Sequence, residues 1–501
     1  KREYQLDRDW IWYKTWGRYA WNCHREIFMK YIIYHLWVIS LLFPLGMQAK
    51  VRLTSIWGDN MVLQQQSEVT FHGKASANSK ITIEASWDHR KLTTRSDQHG
   101  NWDIQLPTPA AGGPYTITFS DGETLTLKNI LLGEVWFCSG QSNMEMPVRG
   151  FRGQPVYGSQ PYIVSADSKR ELRLFTVKRD WSTTPKEEGM TGYWSELSPK
   201  EVGDFSATAY FFGDLLQRSL DIPVGLIHCS WSASKIETWM NKETLSQFPE
   251  VQLPDIKQDK FDWPAGTPTL LWNAMVNPWK GFPIKGVIWY QGESNSANPA
   301  LYKKLFPAMV IQWREFFNNP AMPLYYVQIT PWQAEGKDKL DRAWFRQCQL
   351  ELMQEVPNVG MVTTTDAGSE KFIHPPYKIK VGQRLAYWAL AKTYGIEGFL
   401  YAGPLYKSHQ LKKNVVEITF EHGSDGLIPE NQKLKGFELV DEKGNIVPAE
   451  AEIINGSARV KVWNDSVPHP VEVRYCFRNY MEGDLFNNAE IPASPFRIVI
   501  H

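Results

Sequence analysis

A chain of 501 residues is too long for one ordinary hydrophobic core, so two or three domains are expected. Its 54 basic and 54 acidic side chains cancel to a formal net charge of +0, which leaves no electrostatic footprint of a nucleic-acid-binding or membrane-surface protein and points to a neutral or small partner. The 22 tryptophans are numerous enough to suggest stacking on sugar rings, but any single one reads as core before platform.

The first methionine is Met29, and residues 1–28 read as an upstream extension outside the fold. From Met29-Lys30 a short basic start leads into the apolar run Tyr31 to Leu45, which His35 interrupts and which is shorter than the roughly 20 residues that span a bilayer. Gly46-Met47-Gln48-Ala49 supplies a small residue at a cut, so residues 29–49 read as a signal peptide and the mature protein as secreted or periplasmic, with no stable membrane insertion. Beyond that segment Cys138, Cys229, Cys348 and Cys476 stand far apart with no CxxC pair, so no zinc or redox motif follows and buried free thiols are expected.

Residues 50–132 show short alternating runs such as Glu68-Val69-Thr70-Phe71 and Lys80-Ile81-Thr82-Ile83-Glu84, punctuated by Gly73, Gly112-Gly113 and Asp121-Gly122. This pattern predicts a β-sandwich-like domain. Over residues 133–400 apolar strands alternate with longer helical patterns. Strands are expected at 135–138, 224–229, 286–290, 324–329 and 360–364, and helices at 206–220, 302–317 and 381–394. Such alternation implies a parallel sheet with ligands at the carboxyl ends of its strands. Residues 401–501 return to period-two runs and read as all-β.

The expected strand ends carry the reactive residues. The first closes in Gly140-Gln141-Ser142-Asn143-Met144, a tight turn that presents a serine at a sheet edge, and the last leads to Asp366 and on to Ile373-His374-Pro375. Two further strands end in Ser230-Trp231-Ser232-Ala233-Ser234 and in Gln291-Gly292-Glu293-Ser294-Asn295. A serine after a strand is in general only a cap or turn residue, but four loops converging on one edge change the balance. Ester cleavage needs a nucleophile, a base and fixed donors for an oxyanion. The expected set is Ser142 as nucleophile and His374 as base. The oxyanion donors are expected to be the Ser142 N–H, a backbone N–H of the Ser232–Ala233 turn and the Gln291 side-chain amide.

Three segments make the likeness specific: residues 133–147 around Gly140-Gln141-Ser142-Asn143-Met144, residues 288–295 around Gln291-Gly292-Glu293, and Ile373-His374-Pro375. In these the chain resembles the sialate O-acetylesterase family of SGNH (GDSL-type) hydrolases, with weaker similarity from about Val51 to Arg497. The resemblance implies a flavodoxin-like three-layer α/β core with β-rich additions. It also implies Ser142 and His374 as catalytic pair, no metal or organic cofactor, and removal of O-acetyl groups from sialic acids or related sugars through an acetyl-serine. A glycan or small-molecule substrate follows, with no nucleic-acid partner; the oligomeric state stays open. Acetylated plant polysaccharide is the alternative substrate, and a non-catalytic carbohydrate-binding protein the alternative of another class.

Two departures stand out. Similar proteins often show Trp-Gly-Gly-Thr where this chain has Trp231-Ser232-Ala233-Ser234, so the turn is expected to change if it requires positive φ. Lys371 stands three places before His374 where an aspartate is common. The imidazole is therefore left to Asp366, Glu370 or a backbone carbonyl, and Asp366 is the choice made here.

Overall fold

A parallel sheet runs through the middle of the chain, in the order Leu172–Thr176, Val224–Ser230, Thr124–Gly140, Gly286–Tyr290, Leu324–Val327 and Val359–Val362. The short edge strand Trp194–Ser195 adds to it antiparallel, against Leu172–Thr176. The structure, a computed structural model, describes residues 51–500 apart from 189–191, 256, 259 and 334–339. The expected extension 1–28 and signal peptide 29–49 lie outside the described residues.

Side chains alternate across the sheet, and each face has its own apolar cluster. Phe137, Ile227, Trp289 and Tyr326 point into one cluster, with Pro299–Phe316 and Asp341–Glu355 as its helices. Trp136, Leu226, Ile288 and Tyr325 point into the other, with Ala207–Leu220 and Lys378–Lys392. Covering on both faces is why these strands read as unbroken apolar runs. The two helices of the second cluster touch closely at Gly382, where a Cβ would sit 2.7 Å from Phe211 Cβ and 2.7 Å from the Thr208 carbonyl oxygen.

The strand Thr124–Gly140 does two jobs. Its first half pairs antiparallel with Gly112–Ser120, and its second half lies between Val224–Ser230 and Gly286–Tyr290. The expected boundary at residues 132 and 133 thus falls inside one uninterrupted strand, and the apolar cluster joins Val69 and Phe119 to Phe137 and Trp279 without a seam. Arg52–Leu53, Glu68–Lys74 and Asn101–Pro107 form a separate three-stranded antiparallel sheet over that first half. After residue 404 the chain is all-β, with two four-stranded antiparallel sheets. No helix among the described residues is long and apolar enough to cross a membrane.

Three central strands end level, since Gly140 pairs with both Ser230 and Tyr290. That edge carries the candidate site.

Candidate active site

The serine turn is built by close backbone approach. Gly140 has φ +144, and a Cβ there would stand 2.1 Å from the Tyr290 carbonyl oxygen, so no other residue fits. The next N–H, of Gln141, bonds to that same carbonyl at 3.0 Å. Ser142 then opens the one-turn helix Ser142–Glu145, in which the Met144 and Glu145 N–H groups both bond to the Gln141 carbonyl at 2.9 Å while the leading Ser142 N–H has no intrahelical acceptor. Behind the turn, Ser206 caps the helix Ala207–Leu220 and donates from its hydroxyl to the Met144 carbonyl at 2.6 Å. Thr208 Oγ1 donates to the Asn143 carbonyl at 3.2 Å.

His374 arrives on the loop before Lys378–Lys392, and Asn143 holds that loop in place. The Asn143 Nδ2 donates to the Ile373 carbonyl at 3.1 Å, so the residue after the serine is bonded to the residue before the histidine. The Ser142 hydroxyl itself makes no hydrogen bond to His374, whose bonded nitrogen is Nδ1. His374 Nδ1 pairs with Gln154 Oε1 at 2.9 Å, and the ring meets Phe151 edge-on at 5.3 Å. A carbonyl oxygen only accepts, so Nδ1 carries the hydrogen and Nε2 keeps its lone pair. Burial, then the Lys378 ammonium, push the imidazole down to about 4 against the opposing pull of Glu145, so it is neutral near pH 7.

Two expected side chains are not brought to these roles. Asp366 lies on Arg384, at 2.6 and 2.9 Å, and on Lys380 at 2.8 Å, and the group on His374 is Gln154. Two cations at bonding distance outcompete a neutral imidazole for that carboxylate. Both amide hydrogens of Gln291 are engaged inside the protein, by the Ser234 carbonyl at 3.0 Å and Asn295 Oδ1 at 2.7 Å, which leaves none to face an oxyanion. Gln291 braces the Ser234 turn instead, with Asn295 passing the connection on to Glu237 at 2.9 Å and to the Ile236 N–H at 3.0 Å.

In that turn the Ser232 N–H is taken by Glu145 Oε2 at 2.7 Å, and the Ser232 hydroxyl bonds the same oxygen. The other Glu145 oxygen accepts from Arg179 Nε at 2.7 Å and from its Nη2, while the guanidinium lies over Trp231 at 5.5 Å. The Ala233 N–H makes no hydrogen bond. Of the backbone N–H groups expected to serve an oxyanion, that of Ser232 is engaged, while those of Ser142 and Ala233 have no acceptor among the described residues.

Residues 132–391, just over half of the chain, match the family model described as carbohydrate esterase, sialic acid-specific acetylesterase. The chain belongs to that family. As a carbohydrate esterase it is a carboxylic ester hydrolase. Curated relatives of this acetylesterase are the sialate O-acetylesterases of Homo sapiens, 26% identical and covering 92% of this chain and 96% of that protein, and of Mus musculus, 24% identical with 89% and 94% covered. Among solved structures, a carbohydrate acetylesterase from Xanthomonas citri is 32% identical with a TM-score of 0.81, covering 90% of this chain and all of that one.

The acetylesterase turn Trp231-Ser232-Ala233-Ser234 adopts a positive φ at Ala233, +58, so the left-handed conformation is taken there by a residue with a side chain. Sequence reading passed over Gln154, Glu145, Arg179 and Lys378. Glu145 stood inside the matched segment and Lys378 four places after His374, but nothing near Gln154 marked it. The four described cysteines are buried and free.

Proposed function

We propose that this protein is a serine O-acetylesterase that removes acetyl groups from sialic acids or related carbohydrates, with Ser142 as nucleophile and His374 as base. The Ser142 oxygen attacks the acetyl carbonyl while His374 Nε2 takes its proton, and Gln154 holds the Nδ1–H tautomer throughout. The tetrahedral oxygen sits against the Ser142 and Ala233 N–H groups, each such donor being worth about 3 to 4 kcal/mol in the transition state. Collapse expels the sugar oxygen, which recovers the proton from Nε2 and leaves an acetyl-serine. Water then attacks that ester with His374 again as base, releasing acetate and free Ser142.

The observation that carries this reading is the Asn143 to Ile373 hydrogen bond, which ties the serine turn to the histidine loop. On this reading the sheet and its two covered faces form the flavodoxin-like SGNH layering, and the protein works as a secreted or periplasmic enzyme on a glycan substrate. A polysaccharide acetylesterase with the same mechanism is the second reading, and the Xanthomonas citri neighbour, a carbohydrate acetylesterase by name, is compatible with either substrate. Acetate release measured side by side from O-acetylated sialic acid and acetylated xylan separates the two. Ser142→Ala is expected to abolish the p-nitrophenyl acetate burst and lower kcat by about 10⁴-fold or more; a variant of undiminished activity overturns the nucleophile.

A further inference from the structure

Next to the serine lies a buried charged pair with an amide between its ends. Lys378 is fully buried at the first position of its helix, and its Nζ donates to Asn143 Oδ1 at 2.6 Å while lying over the Tyr290 ring at 5.3 Å. On the other side, Asn143 Nδ2 donates to Glu293 Oε1 at 2.7 Å, and Glu293 Oε2 is buried without a partner. An ammonium can only donate and a carboxylate accepts, so the orientation of the Asn143 amide is set by chemistry. With the bond to the Ile373 carbonyl, every hydrogen of that amide is engaged. Burying a cation and an anion is costly unless both are paired, and here they neutralise each other only through one asparagine.

We infer that Lys378, Asn143 and Glu293 form a relay that locks the histidine loop against the nucleophile turn and holds a buried ammonium charge behind that turn, which makes Lys378 a positioning residue for the reaction. The inference rests on Ser142 and His374 acting as described above. The charged groups acting on His374 are Lys378 and Glu145, with Gln154 and Phe151 as its uncharged neighbours. Those around the Lys378 head group are Glu293, Asn143 and Tyr290. The ammonium opposes protonation of the imidazole, keeping it a free base. Burial pushes Lys378 itself down to about 7 against the pull of Glu293, so Glu293 holds the proton on the relay.

The test is kcat, KM and the pH profile of kcat/KM on p-nitrophenyl acetate for the full chain, Lys378→Met and Glu293→Gln. Lys378→Met is expected to lower kcat about tenfold with KM changed less than about twofold. It should also move the acid limb up by about half a pH unit. Glu293→Gln keeps an acceptor for Asn143 but removes the anion that holds the proton on Lys378, so its acid limb should move up too, by less than in Lys378→Met. A limb that stays put or moves down in either variant overturns the relay, as does a Lys378→Met defect confined to KM. If Lys378→Met fails to fold, the upward shift in Glu293→Gln decides alone. An active Ser142→Ala enzyme sinks the underlying nucleophile reading, whereas an inactive one beside unmoved limbs sinks only the relay.

Discussion

Gln154 meets His374 with a neutral oxygen where many hydrolases present a carboxylate, and that single atom shapes the expected pH behaviour. Without an anion on Nδ1 the pull of Glu145 does not offset burial and the Lys378 ammonium, so the imidazole is held near 4 and the acid limb of kcat/KM is expected there, measurable as activity retained at pH 5 to 6. Gln154→Glu should move that limb upward by about one unit or more, and Gln154→Ala should lower kcat by about ten- to a hundredfold by freeing the ring to rotate or change tautomer. His228, also pushed down to about 4 by burial, contributes to stability in the same window. The unfolded chain takes up these protons near 6.5 and the fold resists them. Stability is therefore complete above about pH 6.5 and declines as pH falls toward 4, visible as a lower urea midpoint.

At the scale of elements, the site depends on two turns in which backbone conformation was not written plainly into residue types. Gly140 was legible as a small residue in a tight turn, and the φ of +144 against the Tyr290 carbonyl explains the need for it. Gly140→Ala is expected to cost on the order of 3 kcal/mol and to displace Ser142, read by urea unfolding and by loss of turnover. Ala233 is the opposite case: an L-residue sits in the left-handed region, so Ala233→Gly should stabilise the protein by up to about 1 kcal/mol while preserving its N–H donor. The strands and helices were easier to read. Gly286–Tyr290 agrees with expectation at both ends, and Ser206, expected as the first residue of a helix, is the cap of Ala207–Leu220. The strand Leu172–Thr176, second from the sheet edge, and the helix Asp341–Glu355 went unread, the helix because Arg342, Arg346 and Gln349 are buried polar side chains that blur its apolar stripe.

Across the whole molecule, Asp366 shows how a residue in a suggestive position can belong to assembly. Burial raises its carboxyl, but the Arg384 and Lys380 partners outweigh that and hold it below the usual range. Arg384 also donates to the Glu490 carbonyl at 3.3 Å and to the Thr363 carbonyl at 3.1 Å, which joins the final β-region to the sheet edge. Nearby, Thr365 Oγ1 donates to the Ala493 carbonyl at 2.9 Å, and Gln328 Nε2 to Ser494 Oγ at 3.1 Å. Asp366→Asn should therefore lower stability by about 3 to 5 kcal/mol, because it leaves Arg384 buried and underpaired. In the folded fraction, kcat and the acid limb should remain unchanged. Loss of turnover with intact stability would return Asp366 to the catalytic role expected from sequence.

The chain alone determined the alternation of strands and helices, the all-β character of residues 401–501 and the loops bearing Ser142 and His374, because hydrophobic period and turn chemistry are local properties. Only the tertiary structure decided what each polar group touches. Asp366 went to Arg384, the Gln291 amide to the Ser234 carbonyl, and the His374 nitrogen to Gln154, 220 residues away in sequence. Competition among buried donors and acceptors is settled by distance in three dimensions, and no spacing along the chain encodes which partner arrives first.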